Sequence, residues 1–244
     1  MNVLERVSRA TDGDTVVVAE GEFRIDTARA GTERIWIVTR RSVDELGEPV
    51  LDSIWMDRYT LRTLRSVQRN RQGVTQIEYN RRSVRSLRVT PEGRRQQWRG
   101  LLDAEPYGLL GIEIVLGALP LRLGAGGSLP VVGGRADRLQ WLHFEVVDHT
   151  LEPRQVAGGV LFQPVWLLQA SLGNQLLHFW VDPEERAVVR RNLPGPDNTR
   201  MVVARGPKVP RVNAFPVEPL ARDRPSRVIR QGGTNNPVAA SPEG

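Results

Sequence analysis

The chain has 244 residues, of which 40% are hydrophobic and 25% charged, and this balance favours a globular fold over a disordered or membrane-integrated chain. Because it contains no cysteine, disulfides, thiolate catalysis, Cys-ligated zinc and iron–sulfur clusters are excluded. Lys208 is the only lysine, and its Gly-Pro-Lys-Val-Pro context suits neither a Schiff base nor a phosphate-binding loop.

The net charge of +6 comes from one segment, since residues 58–99 hold twelve arginines against two glutamates. Two interpretations stay open. The segment is either a cationic sheet face for an anionic polymer, a membrane surface or an acidic partner, or a solvated face in a protein that uses arginine in place of lysine. The candidate anion-binding residues are Arg62, Arg65, Arg82, Arg85 and Arg88. Nucleic-acid binding is disfavoured because few aromatic residues interleave with the arginines and no reading motif is present.

The first hundred residues predict an antiparallel meander. Short runs rich in β-branched and aromatic residues alternate there with Gly, Pro or Asn, which is typical of paired strands joined by turns. The predicted strands are 14–19, 23–27, 34–39, 52–56, 59–69, 74–79, 83–89 and 94–101. Glu20-Gly21-Glu22 is predicted to be a tight turn between the first two.

The most apolar stretch, 106–121, predicts one central helix, with Asp103 as its N-cap and Pro120 as its stop. Apolar residues occupy nearly every side of this helix, so we expect it to be buried against the sheet, although Glu113 lies in its middle. At about 15 residues it is shorter than the roughly 20 needed to cross a bilayer, and no transmembrane segment is predicted.

Strand patterning resumes after the glycine-rich connection 124–127. The predicted strands are 128–132, 138–149, 159–171, 175–181, 186–192 and 199–205. Together the patterns predict a mainly β fold, in which a curved antiparallel sheet wraps one short apolar helix and residues 1–205 form a single domain. Residues 206–244 are rich in proline and have no periodic apolar face, so they are predicted to be a mostly disordered tail.

Three histidines, His143, His149 and His178, are the main candidates for metal-dependent or acid–base chemistry. Their spacing matches no metal-ligand signature, and the common hydrolase motifs are absent, so we predict no metal, no cofactor and no enzymatic activity. The first residues, Met1 to Val7, lack the apolar run of a secretory signal, which leaves a cytoplasmic location open.

The order of elements is similar to that of bacterial envelope families related to the outer-membrane lipoprotein carrier and its receptor. The segments that carry this resemblance are 52–57 with Thr60-Leu61, 119–121 with Gly124, 179–183 and 188–190. The resemblance implies an unclosed β-barrel with a helical lid, located in the periplasm or cell envelope. It also implies that a lipid or acyl chain binds between sheet and helix without catalysis, or that the protein is a structural relative without a ligand.

If such a cavity exists, its lining is expected to consist of large apolar residues of the helix and of the strands that face it. These are Trp55, Leu110, Ile114, Trp141, Phe144, Trp166 and Phe179. A shift of one residue in strand register would turn any of the strand residues to the other face.

Overall fold

The computed structural model describes residues 2–10, 15–44, 47–133, 139–156, 159–194 and 199–206. Within these ranges the chain forms fifteen strands and one short helical segment. The strands are β1 Asn2–Ala10, β2 Thr15–Ala30, β3 Glu33–Val43, β4 Pro49–Asp57, β5 Thr63–Asn70, β6 Gly73–Asn80, β7 Ser83–Val89, β8 Arg95–Leu101, β9 Tyr107–Gly108, β10 Gly126–Val132, β11 Gln140–Val156, β12 Gly159–Leu172, β13 Gln175–Asp182, β14 Ala187–Pro194 and β15 Arg200–Gly206. The helical segment is a 3-10 turn, Leu109–Gly111, followed by α1, Ile112–Ala118.

All the described strands belong to one sheet, in the order β8-β7-β6-β5-β4-β3-β2-β1-β15-β14-β13-β12-β11-β10-β9. It consists of two antiparallel meanders whose first and last strands, β1 and β15, pair side by side. The β9–β10 pair is parallel, and the other ladders are antiparallel. The predicted mainly β fold, with one curved and unclosed sheet around a short helix, is therefore confirmed.

One end of the sheet, β9 and β10, lies against β5 and β6 near the other end without forming a ladder. The Gly108 backbone N–H of β9 donates to Thr63 Oγ1 of β5 at 2.9 Å. Tyr79 Oη of β6 lies 3.5 Å from the Val132 carbonyl of β10. Strands β9 and β10 therefore lie against β5 and β6, and the sheet rolls up on itself instead of closing edge to edge.

Alternation along the strands divides the sheet into an inner face, which packs against the helix, and an outer face. The inner faces and the helix share one apolar core, in which Met56, Leu116 and Leu168 are almost inaccessible to solvent. A smaller core around Ile77 and Val84 fills the space beneath β10. Most of the sheet's inner surface is thus already covered by the protein itself.

The predicted turn at Gly21 is wrong. Strand β2 runs straight through Gly21, which pairs with Glu5 of β1. A Cβ atom at this position would stand 2.4 Å from the Arg41 carbonyl oxygen of β3. Glycine is required here for the close approach of two strands and not for a change of chain direction.

The helix is shorter than the predicted 106–121, and Asp103 does not cap it. Gly111 occupies the N-cap of α1 without a side-chain hydrogen bond, and Leu119 ends the helix in an extended conformation. The residues ahead of the helix are held in extended form because Tyr107 and Gly108 pair with β10. The pairing of β9 therefore takes precedence over the helical pattern of this stretch.

Strand β1, which pairs on both sides, was not predicted from the sequence. The predicted tail, 206–244, lies outside the described residues except for Gly206, which ends β15.

Candidate ligand-binding site

A cluster of buried charges lies directly beneath the helix. Glu113 of α1 accepts a hydrogen bond from Arg40 Nη2 of β3 at 3.0 Å and also forms ion pairs with Arg191 of β14 and Arg205 of β15. Glu5 of β1 completes the cluster, with Oε2 at 2.7 Å from Arg40 Nε and Oε1 at 3.0 Å from Arg205 Nε. The charge in the middle of the apolar helix thus has partners on three strands.

The cluster has one more cation than anion, since Arg40, Arg191 and Arg205 share the carboxylates of Glu5 and Glu113. Burial opposes the ionisation of Glu5, but Arg40, Arg205 and Arg191 outweigh it and hold the pKa of Glu5 below its ordinary value. Burial lowers the pKa of Arg205 to about 10, which still leaves this guanidinium charged at neutral pH. Because each ion is paired, we interpret the cluster as the element that fixes the helix to the sheet.

Asp52 of β4 lies at the margin of this cluster. Burial raises its pKa, and nearby Arg40 offsets only part of that effect. Its Oδ1 atom is buried without a hydrogen-bond partner in the described part of the chain. The cavity beside it, which Leu110 and Phe23 also line, measures about 10 Å³ and is no larger than a water molecule needs. The space beneath the helix is therefore too small for an acyl chain.

A larger groove opens at the carboxyl end of the helix. Its volume is about 240 Å³. One wall is formed by the end of α1 and the chain that follows, from Gly117 to Leu121, and the other by Trp166 of β12 and Val181 of β13. Pro183 and Arg186, in the turn between β13 and β14, complete the lining. Apart from Arg186, the side chains in the groove are apolar, although polar atoms contribute at least as much of its exposed lining as apolar atoms do.

The groove depends on a close helix–turn contact. A Cβ atom on Gly117 would lie 2.3 Å from the Arg186 carbonyl oxygen, so a larger residue would push the helix away from the turn. Arg186 itself has a φ of 50°, in the left-handed region. These two backbone features set the width of the groove.

The apolar surface continues from the groove along β11 and β12, which extend beyond their neighbours as a two-stranded ribbon. In this ladder Leu151 pairs with Pro164 and Pro153 with Phe162, on the same inner face as Trp166. Leu151 and Phe162 are 60% and 61% exposed, respectively. The ribbon's opposite face is tied to the rest of the sheet by ion pairs of Glu152 with Arg190 and of Arg154 with Glu185. This orientation leaves its apolar face open to solvent.

Of the seven residues expected to line a cavity, five, including Trp166, belong to or pack against one apolar core. Phe179, Leu110, Ile114 and Phe144 belong to or pack against the filled core, and Trp166 lines the groove. Trp55 and Trp141 point to the outer face, because Ile54, Met56 and Leu142, next to them in sequence, face the helix. Of the seven named residues, Trp166 alone contributes to the groove among the described residues. Leu119 and Leu121 lie within the predicted helix 106–121, which was expected to contribute to the lining, whereas Val181 and Arg186 were not anticipated.

The five predicted anion-binding arginines are also dispersed. Arg65 and Arg85 share the outer face, where Arg65 lies 5.1 Å from the ring centroid of Trp55. Arg88 lies on the inner face, with Nη2 3.4 Å from Oε1 of Gln72. Arg62 forms an ion pair with Glu105, and Arg82 occupies the exposed turn between β6 and β7.

The three histidines do not converge on one site. His143 is on the outer face, with Nδ1 2.6 Å from Ser128 Oγ, whereas His149 is on the inner face with its ring 4.5 Å from that of Trp166. Burial, with Arg200 nearby, lowers the pKa of His178 on β13. Among the described residues, no three His, Asp or Glu side chains lie close enough together to hold a metal ion.

Comparison with protein-family models, with curated proteins and with solved structures found no match to this chain. In the described part of the chain, no helix has the length and apolar character that a membrane span needs.

Proposed function

We propose that the protein binds, without chemical conversion, a lipid-like ligand that has an acyl chain and an anionic headgroup. The acyl chain occupies the groove at the carboxyl end of α1 and runs onto the apolar face of the β11–β12 ribbon. The groove's lining carries this proposal, since its side chains are apolar except for the single cation of Arg186 at the β13–β14 turn.

Size argues for a ligand that extends beyond the groove. The groove's volume of about 240 Å³ is smaller than the roughly 300–1,000 Å³ of most small-molecule pockets. An extended chain can cover Leu151 and Phe162 after leaving the groove. Burying a side chain of this kind contributes about 1.5–3 kcal/mol, so the ribbon can supply the affinity that the short groove cannot.

The cation of Arg186 favours a ligand with an anionic headgroup. The described structure shows no ion pair for Arg186, an exposed residue that lines the groove. A carboxylate or phosphate at the end of an acyl chain would pair with it through the planar donor fork. The resemblance to the lipoprotein carrier family also implies an acyl-chain ligand, without an anionic headgroup being specified. The envelope location that this resemblance implies stays a prediction, testable by cell fractionation.

A blocking substitution tests the groove. Ala118 lines it from the exposed end of the helix, so Ala118→Trp would fill the groove without disturbing the core. We expect the variant to bind the fluorescent fatty acid cis-parinaric acid at least about tenfold more weakly, which corresponds to the loss of about 1.4 kcal/mol.

Leu123→Trp provides the matched control. Leu123 is 65% exposed, follows the same helix and does not line the groove. Equal affinity of the two tryptophan variants, or no binding by the unchanged protein, would contradict the proposal. If the unchanged protein binds the fatty acid and Ala118→Trp does not, mass spectrometry of lipids extracted from the purified native protein identifies the headgroup.

A further inference from the structure

The outer face of β5–β8 concentrates positive charge. Strand alternation and register put five arginines on this face against one acidic residue, Glu78. We call them the arginine face: Arg65, Arg69, Arg85, Arg95 and Arg99. All five are exposed. Arg69, Arg85, Arg95 and Arg99 form no ion pair with another described residue.

The side chains on this face are arranged in rows across the strands. Arg65, Glu78, Arg85 and Arg99 follow one another in register from β5 to β8. Glu78 lies between Arg65 and Arg85 in this row, whereas Arg85 and Arg99 stand directly opposite each other. Because these two cations repel one another, an external anion that lies across them relieves an unfavourable interaction within the protein.

Exposed apolar side chains lie at one end of the same face. Leu101 ends β8 two residues beyond Arg99 and is 88% exposed. Tyr59, in the turn between β4 and β5 at the same end of the sheet, is 73% exposed. These are the largest exposed fractions among the large hydrophobic residues of the described chain.

The turns at this end carry further charge. Arg58, Arg81 and Arg82 are exposed there. Asp57 is engaged in the β4–β5 turn, where Oδ1 accepts from the Thr60 backbone N–H at 2.7 Å. Glu105 is paired with Arg62, and Asp103 remains as an exposed carboxylate.

We infer that the arginine face, with Leu101 and Tyr59 at its end, docks on an anionic phospholipid surface. Arginines supply attraction to the headgroups, and an exposed leucine and tyrosine suit the boundary between headgroups and acyl chains. A single-stranded nucleic acid is less well matched, because it stacks successive bases on several open aromatic rings and Tyr59 is the one exposed ring at this face in the described chain. Arg65 covers the ring of Trp55, while Tyr79 and Trp98 face inward.

Vesicle sedimentation tests this inference on the full chain. We expect binding to vesicles of phosphatidylcholine with phosphatidylglycerol, no binding to phosphatidylcholine alone, and weaker binding at higher salt. The triple variant Arg65→Gln, Arg85→Gln and Arg99→Gln should bind at least about tenfold more weakly, since each arginine near such a surface contributes about fivefold.

A second triple variant, Arg29→Gln, Arg122→Gln and Arg200→Gln, carries the same change in net charge on exposed sites away from the arginine face. It should bind within about twofold of the unchanged protein, given that distant charges are screened. Circular dichroism and thermal melting check that both variants fold. Equal loss in the two variants would overturn the inference, as would binding to single-stranded RNA but not to the anionic vesicles.

The double variant Tyr59→Ser and Leu101→Ser leaves every charge in place. We expect it to lose the binding that persists at high salt, and unchanged salt-resistant binding would count against an apolar contribution. Because Ala118→Trp blocks the groove and leaves the arginine face untouched, it should bind vesicles like the unchanged protein. Loss of vesicle binding in Ala118→Trp would assign membrane contact to the groove and overturn the inference.

Discussion

Glu113 is a charged residue in the middle of a buried helix, and its role depends on residues far away in sequence. Its carboxylate joins Arg40, Arg191 and Arg205, which come from three strands. Removing one member of a buried ion cluster leaves the others unpaired, and this costs far more than losing a surface ion pair.

We therefore expect Glu113→Gln to lower the free energy of unfolding by about 3–5 kcal/mol. Glu185→Gln breaks an exposed pair with Arg154 and should cost less than about 1 kcal/mol. Urea unfolding monitored by circular dichroism compares the two variants. A similar small loss in both would mean that the cluster does not fix the helix.

The buried carboxyl group of Asp52 makes the free energy of unfolding depend on pH. Its pKa is raised above the ordinary value of 3.8 in the folded state, so the protonated form is favoured there. The stability that protonated Asp52 contributes is complete below pH 3.8, and it is lost as the pH rises through the pKa of Asp52 in the folded protein.

Asp52→Asn should consequently become more stable relative to the unchanged protein as the pH rises from about 3.5 to 7. The free energy of unfolding of both proteins, measured in urea across this range, gives the difference. A difference that stays constant with pH, or shrinks, would show that the folded environment does not raise the pKa of Asp52.

Which residues face the helix could be predicted from sequence only in part. Alternation within a strand is visible, but its phase depends on bulges such as the extra residue Leu64 of β5, opposite Trp55 and Met56 of β4. Trp55 was expected to face the helix and instead faces outward, beside Arg65. The partners of Glu113 could not be predicted, because nothing local in the sequence links a helix residue to β3, β14 and β15.

At the scale of elements, the contact between α1 and the β13–β14 turn shapes the groove. Gly117→Ala should lower the free energy of unfolding by about 1–3 kcal/mol, since the new methyl group would clash with the Arg186 carbonyl. We also expect it to weaken fatty-acid binding, because the helix end forms one wall of the groove.

Gly127→Ala is the control for this substitution. Its added methyl group would meet only the end of the Phe144 ring, at 3.2 Å. Thermal melting measures the loss of stability in both variants, and fatty-acid titration measures their loss of affinity. If Gly117→Ala behaved like its control, the close approach of the helix to the turn would not define the groove.

The boundaries of strands could be predicted from the local sequence pattern where a single turn joins two adjacent strands. The strand predicted at 83–89 coincides with β7, for example. Prediction was wrong where distant backbone decided the outcome, as at Gly21, where β3 approaches closely, and at Tyr107, which pairs with β10. A glycine needed for close packing looks the same in sequence as a glycine needed for a turn.

At the scale of the whole molecule, the pairing of β1 with β15 turns two meanders into one rolled sheet. The mainly β character and the single helix were predictable, because both follow from local periodicity. The pairing of the first strand with the last was not, because it joins residues about two hundred positions apart, such as Glu5 and Arg205. This pairing also builds the charge cluster and so determines where the helix lies.

The roll explains why the open groove lies at the helix end and not beneath the helix. The core residues and the charge cluster fill the space under α1, where the cavity is about 10 Å³. Beyond Ala118 the chain leaves the helix while Trp166 and Val181 continue the inner face, and the groove opens between them.

The most direct test is the position of a bound fatty acid, measured by nuclear Overhauser effects between carbon-13-labelled palmitate and the side chains of the protein. The account predicts contacts from the palmitate methylenes to the Trp166 ring and the Leu121 methyl groups. Contacts to Phe144 and Ile114 instead, or no contact with the groove at all, would contradict it.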